Sequence, residues 1–390
     1  MSGPASGAVA VPLNPVLEGL RVYPFTRLTD AARALREKGV DVIDFGIGEP
    51  REPTPLFIRE ALAAAITPQS PYPVAAGLPE LRSAIAAWAG RRFGVALDPA
   101  TQVVPSLGAK EVIFSLAQVI GPGAVAVTTP GYPVAERGAL FAGQRVHELP
   151  LTAERAFLPD LDSLPDDLAL LWLNYPNNPT AATADLAFYE RAAALGRERG
   201  FAVASDEAYS ELSFTDELPA SALQVADLTN VLAINTLSKR SSMPGIRSGF
   251  AAGDPRLVGA LKRYRPNVGV APQEFVQRAA AAAWAEEDHV TAVREVYRSK
   301  RAALLPALED IGLKPAGGDA TFFLWLSLPE GWTSSEAFAL ALLDEGLVVA
   351  PGAYFGPAGE GYVRVALVPT LEACAAAAAR LRAWTAPPPV

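Results

Sequence analysis

The sequence predicts an α/β protein in which a mostly parallel sheet is covered on both faces by helices and a smaller α+β unit follows. Three observations predict it. Between about residues 100 and 250, short apolar runs alternate with longer helical patterns, and such alternation requires crossover connections and therefore parallel strands. The last hundred or so residues change character, with long helical patterns separated by a few strands. A chain of 390 residues also exceeds one ordinary core.

The strand candidates of the first part are Ala124 to Thr128, Leu168 to Leu173, Phe201 to Ser205, Val231 to Asn235 and Gly249 to Ala252. Each is a short apolar run bounded by turn residues, as expected of strands buried on both faces. Helical patterns at Lys110 to Val119 and Leu186 to Arg199 lie between them. In the last part a helix is expected around Val290 to Ile311. A strand at Thr321 to Leu326, a helix near Ser335 to Glu345, strands at Leu347 to Ala350 and Tyr362 to Leu367, and a final helix complete it. The segment through about Pro50 has no obvious neighbour in sequence and is expected to pack with this smaller unit. The expected division is therefore 1–50 with the small unit, 51–288 as the large unit and 289–390 as the small C-terminal unit. Met1 to Val11 reads as a loose tail, and Pro387-Pro388-Pro389 as a frayed end.

Composition narrows the function. Half of the residues are hydrophobic and 19% are charged, which marks a globular chain. A net charge of -9 argues against nucleic acid, whose phosphates require a basic face. The two histidines, His147 and His289, lie far apart, which disfavours a zinc site or a Ser-His-Asp triad. The one cysteine, Cys374, excludes an intrachain disulfide, and its Ala-rich setting reads as a small buried residue of a helix. No uncharged apolar run reaches the roughly 20 residues needed to span a bilayer, and the start lacks the basic region of a signal peptide. A soluble, cytoplasmic protein is the simplest expectation.

The chemistry starts at Lys239, which closely follows the apolar run Val231-Leu232-Ala233-Ile234. Functional groups of parallel sheets gather at the carboxyl ends of strands, and a lysine there can form an imine with an aldehyde cofactor. Asp206 follows the strand ending at Ser205 and lies 33 residues before Lys239, about one helix-and-strand unit. A carboxylate at that place can pair with the protonated pyridine nitrogen of pyridoxal phosphate and keep its ring electron-poor; a helix N-cap is the alternative. Asn174-Tyr175-Pro176-Asn177-Asn178-Pro179-Thr180 follows another strand and reads at least as a rigid turn. Its Asn178 amide, with the Tyr209 hydroxyl, is placed to hydrogen-bond the cofactor's phenolic oxygen.

Phosphate needs an anion cradle. Ser106-Leu107-Gly108-Ala109-Lys110-Glu111 opens a helix whose free N–H groups suit one, and Thr236, Ser238 and Arg247 would complete it. Tyr132, in Pro130-Gly131-Tyr132-Pro133, either stacks on the ring or fills core. Arg364 is a cation inside the apolar strand Tyr362-Val363-Arg364-Val365-Ala366-Leu367, either an edge charge or a bidentate clamp for a substrate α-carboxylate.

Together these segments resemble the fold-type I, class I/II pyridoxal-phosphate-dependent aminotransferases, from Asp44-Phe45-Gly46-Ile47-Gly48-Glu49-Pro50 to Arg364. The resemblance implies that Lys239 binds the cofactor as an imine and then serves as proton carrier. Asp206 would hold the pyridine nitrogen, and Asn178 and Tyr209 the phenolic oxygen. Gly108, Ala109, Lys110, Thr236, Ser238 and Arg247 would surround the phosphate. Arg364, Asn178 and the backbone of Gly48 would take the α-carboxylate. Tyr72, in Tyr72-Pro73-Val74-Ala75-Ala76-Gly77, matches a tyrosine that reaches the neighbouring subunit's phosphate, which implies a homodimer.

Asn14-Pro15-Val16-Leu17, Tyr23-Pro24-Phe25-Thr26-Arg27-Leu28 and the segment from Leu237 to Phe250 are most similar to N-succinyldiaminopimelate aminotransferases. That family exchanges an amino group between N-succinyl-L,L-diaminopimelate and 2-oxoglutarate in lysine and diaminopimelate synthesis, with glutamate as the other amino acid. An aspartate, aromatic or acetylornithine aminotransferase, or a β-lyase, would share the cofactor residues. A non-catalytic cofactor-sensing regulator is a third, different class.

Overall fold

The computed structural model of the chain describes residues 11–19 and 25–384. Tyr23 and Pro24, and nearly all of both tails discussed above, lie outside those residues. In chain order the strands are β1 Ile43–Asp44, β2 Val103–Ser106, β3 Ala124–Thr129, β4 Arg145–Pro150, β5 Leu168–Asn174, β6 Ala202–Asp206 and β7 Val231–Thr236. There follow β8 Gly249–Gly253, β9 Lys314–Pro315, β10 Phe323–Ser327, β11 Leu347–Val348, β12 Ala350–Pro351 and β13 Tyr362–Ala366.

A seven-stranded sheet has the order β2-β8-β7-β6-β5-β3-β4. From β4 to β7 neighbours pair in parallel, whereas β8 runs antiparallel to both β7 and β2. Every residue of β6 and β7 is buried, because helices cover both faces. Side chains alternate across the sheet: Leu232 and Ile234 pack with Val112, Ile113 and Leu261 on one face. Ala233 packs with Trp88, Ala279 and Trp284 on the other. Trp88, Trp284 and Phe250 meet edge-on or tilted with ring centres 4.6 to 5.8 Å apart, adding aromatic contact to apolar burial. The register sets Asn174 beside Asp206 and Asp206 beside Ile234. Three neighbouring strands thus end along one edge.

The smaller sheet is antiparallel, in the order β12-β13-β10-β9. Helices Asp288–Asp310 and Leu371–Ala383 pack on it through Val293, Tyr297, Leu304, Ala377 and Leu381. Cys374 is fully buried in the second of these helices. The early β1 pairs in parallel with β11.

Three expectations are corrected. The helix expected over Lys110 to Val119 spans Ala109–Ser115 and tightens into a 3-10 turn at Leu116–Gln118, a common way to end a helix. The strand expected over Leu347 to Ala350 divides, because β11 pairs with β1 while β12 pairs with β13. The strand expected from Thr321 starts at Phe323, because Thr321 has φ 67° and its hydroxyl accepts the Phe323 N–H at 2.9 Å. Strands β2 and β4 leave no clear apolar run in the sequence: one is four residues long and contains Pro105, and the other is an edge strand with exposed Arg145 and Glu148.

Candidate active site

The edge where β5, β6 and β7 end opens into a cavity of about 1120 Å³. Gly48, Ala109, Lys110, Tyr132, Asn178, Asp206, Tyr209, Thr236, Ser238, Lys239, Arg247 and Arg364 all line it. Residues far apart in sequence converge there because the sheet register and the β10–β13 pairing deliver them.

Lys239 sits in the short helix Leu237–Arg240 that follows β7. Thr236 caps this helix, its hydroxyl accepting the Ser238 N–H at 3.2 Å and lying 2.9 Å from the Ser238 hydroxyl. The Lys239 ammonium donates to the Gly48 carbonyl at 2.8 Å. Burial, helped by the nearby Arg364 and Arg247 and opposed by Glu49 and Asp206, lowers the Lys239 pKa to about 8. Burial also raises Asp206 to about 7, against the Ala208 N–H bond and the attraction of Lys239. A buried amine and a buried carboxyl are thereby both brought near neutrality, as expected of an acid–base site. Asp206 ends its strand and caps the following turn at 3.2 Å through the Ala208 N–H, so the capping reading and the site reading hold together.

Arg364 lies opposite Trp325 on β10 and Ala350 on β12 and is 4% exposed. It donates to Asn178 Oδ1 at 2.7 Å and to the Gly46 carbonyl at 2.6 Å. Its guanidinium also lies 4.3 Å from the Phe323 ring centre and 4.6 Å from that of Phe355. It is therefore no edge-strand charge. Asn174 holds the loop that carries Asn178: its Oδ1 accepts the Asn178 N–H at 3.0 Å, and its amide donates to the Asp206 carbonyl at 2.9 Å. Tyr209 is buried against Phe322 and Phe323, and burial pushes its phenol up.

On the opposite side, Gly108 precedes the helix Ala109–Ser115 at φ 72°. Arg247 reaches it with φ 59° and donates to the carbonyls of Pro244 and Leu107 at 2.7 and 3.1 Å. A Cβ on Gly108 would stand 2.6 Å from Arg247 Nη2, so glycine is what lets the guanidinium approach the helix start. The Lys110 ammonium lies 5.8 Å from the Tyr132 ring centre.

The family model for aminotransferase class I and II matches residues 40–381. The chain belongs to the class I and II aminotransferases. It is 42% identical over 377 residues to LL-diaminopimelate aminotransferase of Aquifex aeolicus, covering 94% of this chain and 97% of that one. An aminotransferase of known structure from Neisseria meningitidis is 35% identical with a TM-score of 0.87, covering 95% of this chain and 99% of that one. A Thermus thermophilus structure named probable N-succinyldiaminopimelate aminotransferase is 32% identical with a TM-score of 0.84, over 92% and 99% of the two chains.

Aminotransferases of this family depend on pyridoxal phosphate, and the fold is fold-type I. The residues of this aminotransferase fit that group. Asp206 is a buried carboxyl facing a cavity that would take a cationic ring nitrogen, and the absent Cβ of Gly108 lets the Arg247 guanidinium stand at the helix start, where an anion would meet both. The Thr129 hydroxyl at the cavity wall is buried without a hydrogen-bond partner.

Two expected residues do not line the cavity: Gly108, which adjoins it behind Arg247, and Tyr72, which is fully exposed. Glu49, Thr129, Asn174 and Phe323 belong to the site but escape sequence reasoning. Asn174 alone carried a local signal, as the first residue of the Asn-Pro-rich turn. The structure also assembles Ser241, His289 and Glu286 into a hydrogen-bonded row, although histidine spacing argued against such a triad. Among the described residues, no helix is long and apolar enough to cross a membrane and no cluster suits a metal ion.

Proposed function

We propose that this aminotransferase exchanges an amino group between LL-diaminopimelate and a 2-oxo acid, with glutamate and 2-oxoglutarate as the second pair. The observation that carries this reading is the 42% identity, over nearly the whole chain, to an enzyme named LL-diaminopimelate aminotransferase.

Bound here, pyridoxal phosphate supplies the electron sink that makes a substrate Cα–H acidic. The chain supplies position and protons. Lys239 Nζ is the carrier of the Cα proton, since an amine brought to about 8 can both accept and release it near neutral pH. Asp206 would pair with the ring nitrogen, which would give its carboxylate the cation that burial otherwise denies it. Asn178 and Tyr209 would donate to the phenolic oxygen, and Tyr132 would cover the ring. Gly108, Ala109, Lys110, Thr236, Ser238 and Arg247 would hold the phosphate. Arg364 clamps the α-carboxylate beside Asn178 and the Gly48 backbone, its orientation already fixed by Asn178 and Gly46.

The functional unit is a homodimer in which Tyr72 reaches the neighbouring subunit's phosphate; its full exposure supports this. The residues described within 1–50 work with those of the small unit 289–390 against the large unit 51–288. Supporting this division, Ile43 and Phe45 pack in the small unit's core, whereas Ile58 packs with Trp88 and Trp284.

A second reading, N-succinyl-L,L-diaminopimelate as the amino donor, is supported by the Thermus thermophilus structure of that name and by the likeness of the lysine segment. Measuring kcat/KM of the holoenzyme for both donors with 2-oxoglutarate separates the two. Preference for the free diamine is expected. Preference for the succinylated donor moves the assignment to the second reading, and preference for aspartate or an aromatic amino acid overturns both.

A further inference from the structure

Two residues beyond Lys239, the Ser241 hydroxyl is fully buried and lies 2.8 Å from His289 Nε2. His289 Nδ1 in turn hydrogen-bonds the Glu286 carboxylate. A carboxylate only accepts, so Nδ1 carries the proton and Nε2 accepts from Ser241. Burial and the adjacent Arg240 lower the imidazole's pKa against the pull of Glu286, which favours this neutral form. The row has the order of a serine hydrolase triad, yet Ser241 has no surface at which a substrate could meet it.

Its location suggests another use. Glu286 ends the helix Glu274–Ala285, which packs on the large sheet. His289 is the second residue of Asp288–Asp310, which packs on the small one. Glu286 also caps that second helix, accepting from the Asp288 and His289 N–H groups at 2.6 and 3.2 Å. Arg240 grips the same corner, donating to the Ala283 carbonyl and the Glu287 carboxylate, both at 2.9 Å. Its guanidinium lies 4.6 Å from the Trp284 ring centre. The Phe57 ring, edge-on at 5.4 Å, limits rotation of the imidazole. Arg240 and Ser241, the two residues directly after Lys239, are thus both fastened to the corner where the chain passes from one layer to the other.

We propose that His289 is a positioning residue: the Glu286–His289–Ser241 row, with Arg240, locks the turn carrying Lys239 to the corner at residues 283–289. The row sets where Lys239 Nζ lies relative to Asp206 and Gly48, and it carries any movement of helix Asp288–Asp310 to the lysine. The assignment rests on Lys239 being the cofactor-binding lysine and proton carrier.

The test compares His289→Ala, His289→Gln and Ser241→Ala with the parent protein, loaded with pyridoxal phosphate for the absorbance and kinetic readings and free of it for hydrogen exchange. Gln can accept from Ser241 and donate to Glu286, so it should restore what Ala removes. Three quantities are read: the pH midpoint of the visible absorbance band of the lysine-bound cofactor, kcat against KM, and hydrogen exchange of residues 237–243 without cofactor. In His289→Ala the midpoint should move by about half a unit or more, and exchange of residues 237–243 should rise. Its kcat should fall roughly tenfold with KM nearly unchanged, as for a displaced catalytic group. Ser241→Ala, which removes one hydroxyl and keeps the fold even where His289→Ala does not, should show the same changes more weakly, and His289→Gln should return towards the parent. Folded Ala variants with the parent's midpoint, exchange and kcat would overturn the proposal. Midpoint and exchange need no amino donor, so a mistaken substrate does not mimic this result. A parent protein with no visible band would instead refute the reading of Lys239.

Discussion

At Asp206 burial and charge pull in opposite directions, which makes the residue testable in both forms of the protein. Burial raises its folded pKa to about 7 from an ordinary 3.8, so the native state holds a proton that the unfolded chain has released. Between those values, stability without cofactor falls as pH rises, and the cost is fully present above about pH 7. Asp206→Asn removes that cost. Without cofactor, the variant should melt at a higher temperature than the parent at pH 8, and the difference should vanish as pH falls towards 4. The loaded protein should reverse the order: losing a buried charge-assisted bond should weaken pyridoxal phosphate binding about 100-fold, read by fluorescence titration. Arg364→Lys keeps the charge and loses the planar fork. It should lower kcat/KM by about two orders of magnitude for every amino acid alike, since the clamp acts on the shared α-carboxylate. A loss confined to one donor would place Arg364 at the distal end of the substrate instead.

At the scale of elements, the phosphate side depends on a helix start and an arginine turn that fit only around a glycine. Gly108→Ala would put a Cβ 2.6 Å from Arg247 Nη2 at a backbone with φ 72°. Strain of about 1 kcal/mol plus the displaced guanidinium should weaken pyridoxal phosphate binding at least roughly tenfold, while Arg364-dependent binding of dicarboxylate inhibitors changes little. The central strands were legible in the sequence because burial on both faces leaves near-continuous apolar runs. Lys239, Asp206 and Asn178 were legible because each stands at or just beyond the end of such a run, and Arg364 because a cation in an apolar strand is conspicuous. Glu49 and Phe323 carried no local signal, since a loop and the second sheet place them; Thr129 ends β3, but a threonine is an ordinary strand residue and so carried none either. The same holds for Ser241 and His289, which lie 48 residues apart and meet only because two helices turn a corner beside β7. In the sequence, β11 and β12 form one apolar run, because the partner that separates them, β1, lies some 300 residues earlier.

For the whole molecule, the cavity draws on both sheets, with Asn178, Asp206 and Lys239 from the large one and Phe323 and Arg364 from the small one. Pre-organisation of this kind is what an enzyme that leaves bond-making to a cofactor has to supply. If Tyr72 serves a neighbouring subunit, the protein should sediment as a dimer at micromolar concentration, and Tyr72→Phe should weaken pyridoxal phosphate binding without changing the melting temperature of the cofactor-free chain. A monomer with unaltered cofactor affinity would contradict that reading. The central claim is that Lys239 is the lysine that holds the cofactor, and reduction of the loaded protein with borohydride followed by peptide mapping tests it most directly. One phosphopyridoxyl group per chain on Lys239, absent after prior addition of the amino donor, is the predicted result. Label on Lys110 or Lys262, or none at all, would contradict the account.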